Sequence, residues 1–273
     1  MKTYVSFFFL VVLLSCNSPQ SKPLANNSLL NSHETPSSFN SKVADSLLNE
    51  AILLSKTKID YKDQKVLDLC KKSAEMGNSE AQYSLAVFYL TSTKTEEALT
   101  KSIYWLIKAA RQGHSYSQYD LGLFYYNGFG VEQNFTEAYT WFKEAADQNL
   151  AIAQFNVGVC YYKGCGVQRN YEAAINWYTK AAEQNFASAQ YNLGLAYVQG
   201  VNGVTNYEKG VYWFKKGAKQ GENNCQYALA MGYYDGLGLE KNIYESKKWA
   251  EEACKNGNSK ACSFLNQIES EIR

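Results

Sequence analysis

The sequence predicts an all-α fold in which 36-residue helix-turn-helix repeats stack into an α-solenoid. Three observations lead to this fold class. Residue types recur at intervals of 36 residues, and apolar residues recur at helical spacing within each interval. No proline follows Pro36, so the body of the chain lacks the residue that most often interrupts helices.

The 36-residue interval is clearest in five rows of equivalent positions, and all five tryptophans of the chain fall in one of them. The register continues without a net insertion from about residue 66 to residue 265. The rows are Gln82, Gln118, Gln154, Gln190 and Gln226; Leu85, Leu121, Val157, Leu193, Leu229 and Leu265; Tyr89, Tyr125, Tyr161, Tyr197 and Tyr233; Trp105, Trp141, Trp177, Trp213 and Trp249; and Ala74, Ala110, Ala146, Ala182, Ala218 and Cys254.

The first half of each repeat predicts a helix, which we call helix A. Ala153, Val157 and Tyr161 lie at the spacing of one helical face. A glycine follows the Leu/Val row at Gly122, Gly158 and Gly194. Since glycine inside a helix costs about 1 kcal/mol relative to alanine, we expect a close neighbour at these positions.

The second half of each repeat predicts a helix B after a glycine turn. Glycine favours the left-handed residue that ends many helices. The paired glycines are Gly128 and Gly130, Gly164 and Gly166, and Gly236 and Gly238. The predicted N-caps of helix B are Asn134, Asn170, Asn206 and Asn242. Glu137 and Glu245 follow at the spacing of a capping box.

The N-terminus has the pattern of a secretory signal peptide at residues 1–15. Lys2 precedes an apolar run from Phe7 to Leu14 that is too short to span a bilayer. The run ends in Leu-Leu-Ser-Cys, which resembles the lipobox of bacterial lipoproteins. This resemblance implies that Cys16 is lipidated and anchors the chain to a membrane. Asn17 is not Asp, which favours the outer membrane, on its periplasmic or its surface face.

Four further segments follow the signal peptide. Residues 16–40 are rich in Ser, Asn and Pro and predict a flexible tether. Residues 41–61 contain an amphipathic stretch that predicts an N-terminal capping helix. The solenoid is expected over residues 62–265, and residues 259–273 predict a C-terminal capping helix.

The repeat resembles the Sel-one-like repeat, a relative of the tetratricopeptide repeat. Between Ala151 and Ala182, the stretches AIAQFNVGVCYYKGCGV and AAINWYTKAA match the motif nearly position by position. The resemblance covers about residues 62–265 and implies a right-handed superhelix whose concave face, lined by helices A, binds partners. The first repeat has Thr91–Lys94 in place of the glycine pair, and the fourth has Gly200 and Gly203.

If the tetratricopeptide register transfers, three positions of helix A face the concave groove. The residues after the glutamine row are Tyr83, Tyr119, Phe155, Tyr191 and Tyr227. Those after the tyrosine row are Tyr126, Tyr162 and Tyr234, followed by Asn127, Lys163, Gln199 and Asp235. Aromatic side chains give contact area and the varying polar ones give selectivity. The alternative is that the aromatic rows pack inside the core.

Seven cysteines in an exported chain suggest disulfides. The spacing of Cys254 and Cys262 resembles that of the disulfide-linked hairpins in cysteine-rich Sel-one-like proteins. A bond here would contribute about 2–3 kcal/mol by a loop-entropy estimate. We expect no metal, since His33 and His114 are the only histidines and no C-x2-C pair occurs.

The sequence contains no motif for a cofactor or for hydrolytic catalysis. Ser55 and Lys58 match the Ser-x-x-Lys pattern of penicillin-binding enzymes, but its companion motifs are missing. The charge is balanced, with 27 basic and 26 acidic residues, which argues against a nucleic-acid partner.

The function that these features predict is that of a non-enzymatic, membrane-anchored scaffold. It would bind a protein or peptide partner in the cell envelope through the concave face of the solenoid. Two alternatives remain open: a protein that binds or hydrolyses cell-wall fragments or β-lactams, and a purely structural envelope component.

Overall fold

The computed structural model describes residues 38–54, 63–92 and 95–272, and this part of the chain forms helices and turns without a strand. Among the helices described, none is long and apolar enough to cross a membrane. The predicted all-α solenoid fold class is confirmed. The helices are α1 Ser38–Leu54, α2 Gln64–Glu75, α3 Ser79–Ser92, α4 Glu96–Arg111, α5 Ser115–Asn127, α6 Phe135–Asp147, α7 Ala151–Lys163, α8 Tyr171–Glu183, α9 Ala187–Gln199, α10 Tyr207–Lys219, α11 Asn223–Asp235, α12 Ile243–Lys255 and α13 Ser259–Ile272.

The helices belong to two compact units, residues 1–148 and residues 149–273. In the first unit α1 packs on α2, α3 on α4, and α5 on α6. In the second unit α7 packs on α8, α9 on α10, and α11 on α12, and α13 packs on α12. The odd-numbered helices from α3 to α11 are the predicted helices A, and the even-numbered ones from α4 to α12 are the predicted helices B.

Helices α1 and α13 overlap the segments predicted as N-terminal and C-terminal capping helices. Helix α1 begins at Ser38, inside the segment predicted as tether, and is described to Leu54, so residues 55–61 of the predicted capping helix lie outside the described residues. Its buried residues Ala44, Leu48 and Ala51 form one face, and Leu48 packs in the core of the first unit. Residues 55–62, the signal peptide and the tether up to residue 37 lie outside the described residues.

The turns between helices A and B follow the predicted residues. Gly164 ends α7 in the left-handed conformation, with φ 76°. At the start of α6 the side chain of Asn134 accepts the backbone N–H groups of Thr136 and Glu137. The N–H of Asn134 donates to the carbonyl of Tyr125 at 2.9 Å. In a capping box the side chain of Glu137 would accept this N–H. Here the carbonyl of Tyr125 in helix A accepts it instead, so the turn does not need Glu137.

The glycines inside helices A admit an aromatic ring from helix B, as their cost in a helix led us to expect. A Cβ at Gly122 would lie 2.6 Å from Cδ1 of Phe142, and one at Gly158 would lie 2.6 Å from Cδ1 of Tyr178. Both distances are far below the contact distance of two carbon atoms, which is about 3.5–4.0 Å. The missing methyl group therefore lets helices A and B approach closely around the ring.

The glutamine row connects each repeat to its neighbours. Nε2 of Gln190 donates to the carbonyl of Ala182 at 3.0 Å, and its Oε1 accepts from Nε2 of Gln220 at 2.8 Å. Gln82 makes the equivalent bonds to Ala74 and Gln112. The side chains of Gln82 and Gln190 are buried, so each amide group satisfies a backbone carbonyl inside the protein, and each amide oxygen accepts from an exposed glutamine at a helix end. We call this arrangement the glutamine clasp.

Candidate partner-binding face

The aromatic row after the glutamines divides into buried and half-buried residues. Tyr119 and Phe155 are buried, with 8% and 6% of their surface exposed. Tyr83, Tyr191 and Tyr227 are half-buried. The structure therefore places the first two rings in the core of their units, which is the alternative that the sequence left open.

The rings of this row rest on the aromatic residues that occupy the glycine gaps. The ring centroids of Tyr119 and Phe142 lie 5.9 Å apart, and those of Tyr191 and Phe214 lie 6.1 Å apart. The absence of a side chain at Gly122 or Gly194 thus sets the position of a helix B ring, and that ring supports a tyrosine of helix A. Such support reduces the rotamer freedom that a tyrosine would lose on binding a partner.

The row after the repeated tyrosines is also divided. Tyr126 is 3% exposed and packs on Phe135, with ring centroids 5.2 Å apart. Tyr162 and Tyr234 are half-buried. The hydroxyl of Tyr162 donates to Oε1 of Gln199 at 3.4 Å, and that of Tyr234 to Glu271 at 2.7 Å. In the second unit these two tyrosines therefore keep a ring at the surface while their hydroxyls connect neighbouring helices.

The polar row is the most exposed of the three predicted rows. Lys163, Gln199 and Asp235 are exposed at the C-terminal ends of their helices, and Asn127 is half-buried with its amide on the carbonyl of Leu123. Although the side chain is exposed, desolvation of its ammonium group by the protein lowers the pKa of Lys163 below its ordinary value. These side chains offer a positive, a neutral and a negative group at equivalent positions of α7, α9 and α11.

A cluster of aromatic and acidic side chains lies between α3 and α5, and the sequence interpretation missed most of it. It consists of Glu80, Tyr83, His114, Tyr116 and Asp120, and we call it the acidic aromatic cluster. The ring of Tyr83 lies 4.7 Å from His114 and 6.2 Å from Tyr116. Nε2 of His114 lies 3.1 Å from Oε2 of Glu80.

The carboxyl group of Asp120 in this cluster has a raised pKa. Asp120 is half-buried, and burial of its carboxyl group raises its pKa from the ordinary 3.8 to about 7, although the hydrogen bond from the Tyr83 hydroxyl favours the ionised form. Burial and the charge of Asp120 raise the pKa of Tyr83 as well. The sequence signal for Asp120 is that it departs from the other repeats, which have Ser84, Asn156, Asn192 and Ala228 at this position.

The described cysteines include a disulfide-bonded pair and buried free thiols. A disulfide joins Cys254 at the end of α12 to Cys262 in α13, with the two Cα atoms 4.7 Å apart. Cys160 and Cys225 are buried thiols, and burial raises the pKa of Cys160 to about 12. The described residues contain no group of three or more His, Cys, Asp or Glu side chains that could hold a metal ion. The predicted lipidation site, Cys16, lies outside the described residues.

Comparison with known proteins identifies the repeat. A family model described as the Sel1 repeat matches five consecutive segments, residues 79–114, 115–150, 151–186, 187–222 and 223–258. The repeat boundaries match the helix pairs, since each segment begins at the start of a helix A. A comparison with curated protein sequences gave no match.

Two solved structures are similar to this chain over most of its length. One is a protective antigen of uropathogenic Escherichia coli strains that displays an SLR fold, with a TM-score of 0.76 and 27% identity, covering 84% of this chain and 50% of the antigen. The other is a Sel1 repeat protein from Oxalobacter formigenes, with a TM-score of 0.68 and 28% identity, covering 82% of this chain and 65% of that protein. The chain therefore spans half of the first protein and less than two thirds of the second.

Proposed function

Because the chain belongs to the Sel1 repeat family, whose members are generally protein-interaction scaffolds, we propose that it is a membrane-anchored scaffold that binds a protein or peptide partner through its helices A. It acts by binding and not by catalysis. The anchor is the lipid on Cys16, and the site of action is the cell envelope, with Asn17 favouring the outer membrane.

The observation that carries this proposal is the line of half-buried tyrosines on helices A. Tyr162, Tyr191, Tyr227 and Tyr234 keep part of their rings at the surface of the second unit. Tyrosine combines a large apolar area with a hydroxyl that can hydrogen-bond, and it is enriched among residues that dominate binding energy. Since each ring already rests on another aromatic side chain or connects two helices, little side-chain entropy remains to be lost on binding.

Selectivity comes from the polar residues next to this line of rings. Lys163, Gln199 and Asp235 occupy equivalent positions but differ in charge. A partner segment that follows the helices A would therefore meet a different polar group at each repeat. Opposite charges select such a segment and like charges reject others.

The proposal is tested by photo-crosslinking in cells. A photoreactive amino acid replaces Gln199, which is exposed on helix A of the fourth repeat, and a matched variant carries it at Tyr212, which is 52% exposed on helix B of the same repeat. We expect adducts of discrete mass from position 199 and none from position 212. Adducts from position 212 alone, or from neither position, would contradict binding through helices A.

The anchor and the absence of catalysis are tested separately. The Cys16→Ser variant should leave the membrane fraction, because the thiol that accepts the lipid is lost. A variant that still fractionates with membranes would remove the anchor from the proposal. The purified protein should not hydrolyse nitrocefin or muropeptides, and turnover of either compound would favour the cell-wall alternative.

A further inference from the structure

Helix α10 is the most positively charged of the helices B. It contains four lysines and one glutamate, a net charge of +3, whereas the other helices B have net charges between −2 and +1. The lysines are Lys209, Lys215, Lys216 and Lys219. Among the described residues none of these lysines forms an ion pair, so the chain does not neutralise their charge.

The last three lysines of α10 share one face of the helix with an exposed tyrosine. Tyr212, Lys215, Lys216 and Lys219 have the i, i+3, i+4 and i+7 spacing of a single helix face. Lys215 and Lys219 are exposed, and 52% of the surface of Tyr212 is exposed. We call these four residues the basic tyrosine face. The buried residues of α10 pack on α9 and α11, so the basic tyrosine face points away from both of these helices A.

Two aromatic rings hold the ammonium group of Lys216 beside this face. Its Nζ lies 5.0 Å from the ring centroid of Tyr212 and 5.1 Å from that of Trp213. The two rings contact each other edge to face, with their centroids 5.1 Å apart. Such contacts restrict the side chains before anything binds, so less rotamer freedom is lost on binding. Helix α10 therefore offers an ordered aromatic pair and three ammonium groups on one surface.

The equivalent positions of α6 carry charges that the chain itself neutralises. There Lys143 and Asp147 replace Lys215 and Lys219, and Nζ of Lys143 lies 2.6 Å from Oδ2 of Asp147. An ion pair is therefore compatible with the fold at these two positions. In α10 both positions carry a positive charge, which only a group outside the chain can neutralise.

Helix α12 shows that an exposed tyrosine beside lysines does not by itself make such a surface. Tyr244 is 71% exposed and is followed at helical spacing by Lys247 and Lys248. Nζ of Lys247 lies 2.9 Å from Oε1 of Glu269, and Lys248 pairs with Glu245 at 3.7 Å. The lysines of α12 are thus paired within the chain, and those of the basic tyrosine face are not.

We propose that the basic tyrosine face docks on the surface of a bilayer that contains anionic phospholipids. Tyrosine and tryptophan favour the level of the lipid headgroups, where the ring is partly buried and its polar group stays in water. Lysine can lay its apolar stem along the same level and place its ammonium group beside the phosphates. Each lysine near an anionic membrane contributes a factor of about five in affinity. The exposed ring, which attraction between charges does not need, favours a bilayer over an acidic protein.

Docking through α10 leaves the helices A of the second unit open to a partner, since the basic tyrosine face points away from α9 and α11. This contact goes beyond the proposed function, because it is neither the anchor nor the face that binds the partner. It does not depend on a lipid at Cys16, so the two can fail separately. Where both act, the lipid raises the local concentration of the face at the membrane, and a weak second contact becomes effective.

The test is sedimentation of the purified full chain with vesicles of phosphatidylcholine alone or of an equimolar mixture of phosphatidylcholine and phosphatidylglycerol. The Cys16→Ser chain is used throughout, so that no lipid on residue 16 contributes and every variant has the same N-terminus. We expect binding to the anionic vesicles to be at least about ten-fold tighter than to the neutral ones. High salt should remove most of this preference, because it screens exposed charges.

Two double variants separate the basic tyrosine face from the effect of net charge. Lys215→Gln with Lys219→Gln removes two exposed charges from α10 and should weaken binding to anionic vesicles at least about ten-fold. The matched control, Lys241→Gln with Lys260→Gln, removes two exposed charges from a turn and from α13 and should weaken it less than about three-fold. Tyr212→Ser should also weaken binding, by about three-fold or more, because the ring no longer enters the headgroup level.

Equal binding to neutral and anionic vesicles, or an equal loss in the two double variants, would overturn the proposal. If vesicle binding is unchanged in the α10 double variant but a protein that crosslinks from position 212 is lost, the face binds an acidic protein and the bilayer is the wrong partner. Neither result alters the test of the helices A through position 199.

Discussion

The contact between Gly122 and Phe142 allows a sharp test of how the helices of a repeat pack. A Cβ at Gly122 would lie 2.6 Å from Cδ1 and 2.7 Å from Cε1 of Phe142, and 3.2 Å from the carbonyl oxygen of Ala138. The ring would have to move by roughly 1 Å to restore a normal carbon–carbon distance. Such overpacking costs about 1–3 kcal/mol, while alanine gains about 1 kcal/mol over glycine in a helix. We expect Gly122→Ala to destabilise the protein by up to about 2 kcal/mol, which is the overpacking cost less the gain in helix propensity.

Gly232 provides a matched control in another helix A. A Cβ at Gly232 would meet only Leu239 Cδ1 at 3.4 Å and the carbonyl oxygen of Leu237 at 3.5 Å, which are ordinary contacts. Gly232→Ala should therefore stabilise the protein by about 0.5–1 kcal/mol through helix propensity alone. The same substitution is thus expected to have opposite signs at two buried helical glycines.

A compensating change completes the experiment. The first repeat has Ala86 where the second has Gly122, and Leu106 where the second has Phe142. Ala86 and Leu106 pack in one core cluster, so alanine with leucine is a combination that this fold accepts. Phe142→Leu should therefore recover about 1 kcal/mol or more in the Gly122→Ala background, measured as the coupling in a double-mutant cycle.

The assay is urea unfolding followed by circular dichroism at 222 nm, with all variants compared at one protein concentration. If Gly122→Ala stabilises the protein as much as Gly232→Ala does, or if the double-mutant coupling is zero, the ring does not depend on the missing side chain and the packing argument fails.

Two further predictions concern the glutamine clasp and Asp120. Gln190→Leu keeps a buried side chain of similar size but loses the hydrogen bond to the carbonyl of Ala182 and leaves the amide of Gln220 without its acceptor. It should therefore lower the free energy of unfolding by about 1–3 kcal/mol. An unchanged urea midpoint would contradict this role of the glutamine clasp. Asp120→Asn should stabilise the protein at about pH 8, by at most about 4 kcal/mol, and have almost no effect at about pH 4. The reason is that folding raises the pKa of this acid to about 7. The protonated carboxyl group is tolerated in the folded protein, and stability is lost as the pH rises through that value. A difference in melting temperature that does not vary with pH would show that the carboxyl group is not desolvated.

The repeat register predicted the fold because it depends on many positions at once. Each helix A and helix B begins and ends near the residues that the rows of Gln, Tyr and Asn indicate. The glycines inside helices A were correctly interpreted as sites of close approach, since their cost in a helix requires compensation. The capping box was incomplete because the N–H of Asn134 bonds to a carbonyl of the preceding helix, and local sequence does not show this contact.

The burial of the aromatic rows could not be read from the period of the repeat. Tyr83 and Tyr119 occupy the same repeat position, yet the first is half-buried and the second is buried. The repeat period shows that a position has the same place in every helix A. It does not show burial, because the neighbouring residues that cover this position differ from one repeat to the next. Tyr126 is buried for the same reason, beside Phe135, while Tyr162 contacts Tyr171 and keeps part of its ring exposed.

The repeats of this chain can be compared with one another to separate folding from function. The first repeat has Ala86 in place of Gly122 and Leu106 in place of Phe142. The larger residue on helix A is therefore accompanied by a smaller one on helix B, with which it packs. Asp120 is different, because its carboxylate replaces the neutral side chains of the other repeats and no basic residue among those described pairs with it. A matched departure preserves packing, whereas the carboxyl group of Asp120 keeps a raised pKa even though the Tyr83 hydroxyl donates to it. Asp120→Asn should therefore make the protein more stable at neutral to basic pH, where the wild-type carboxyl group is ionised.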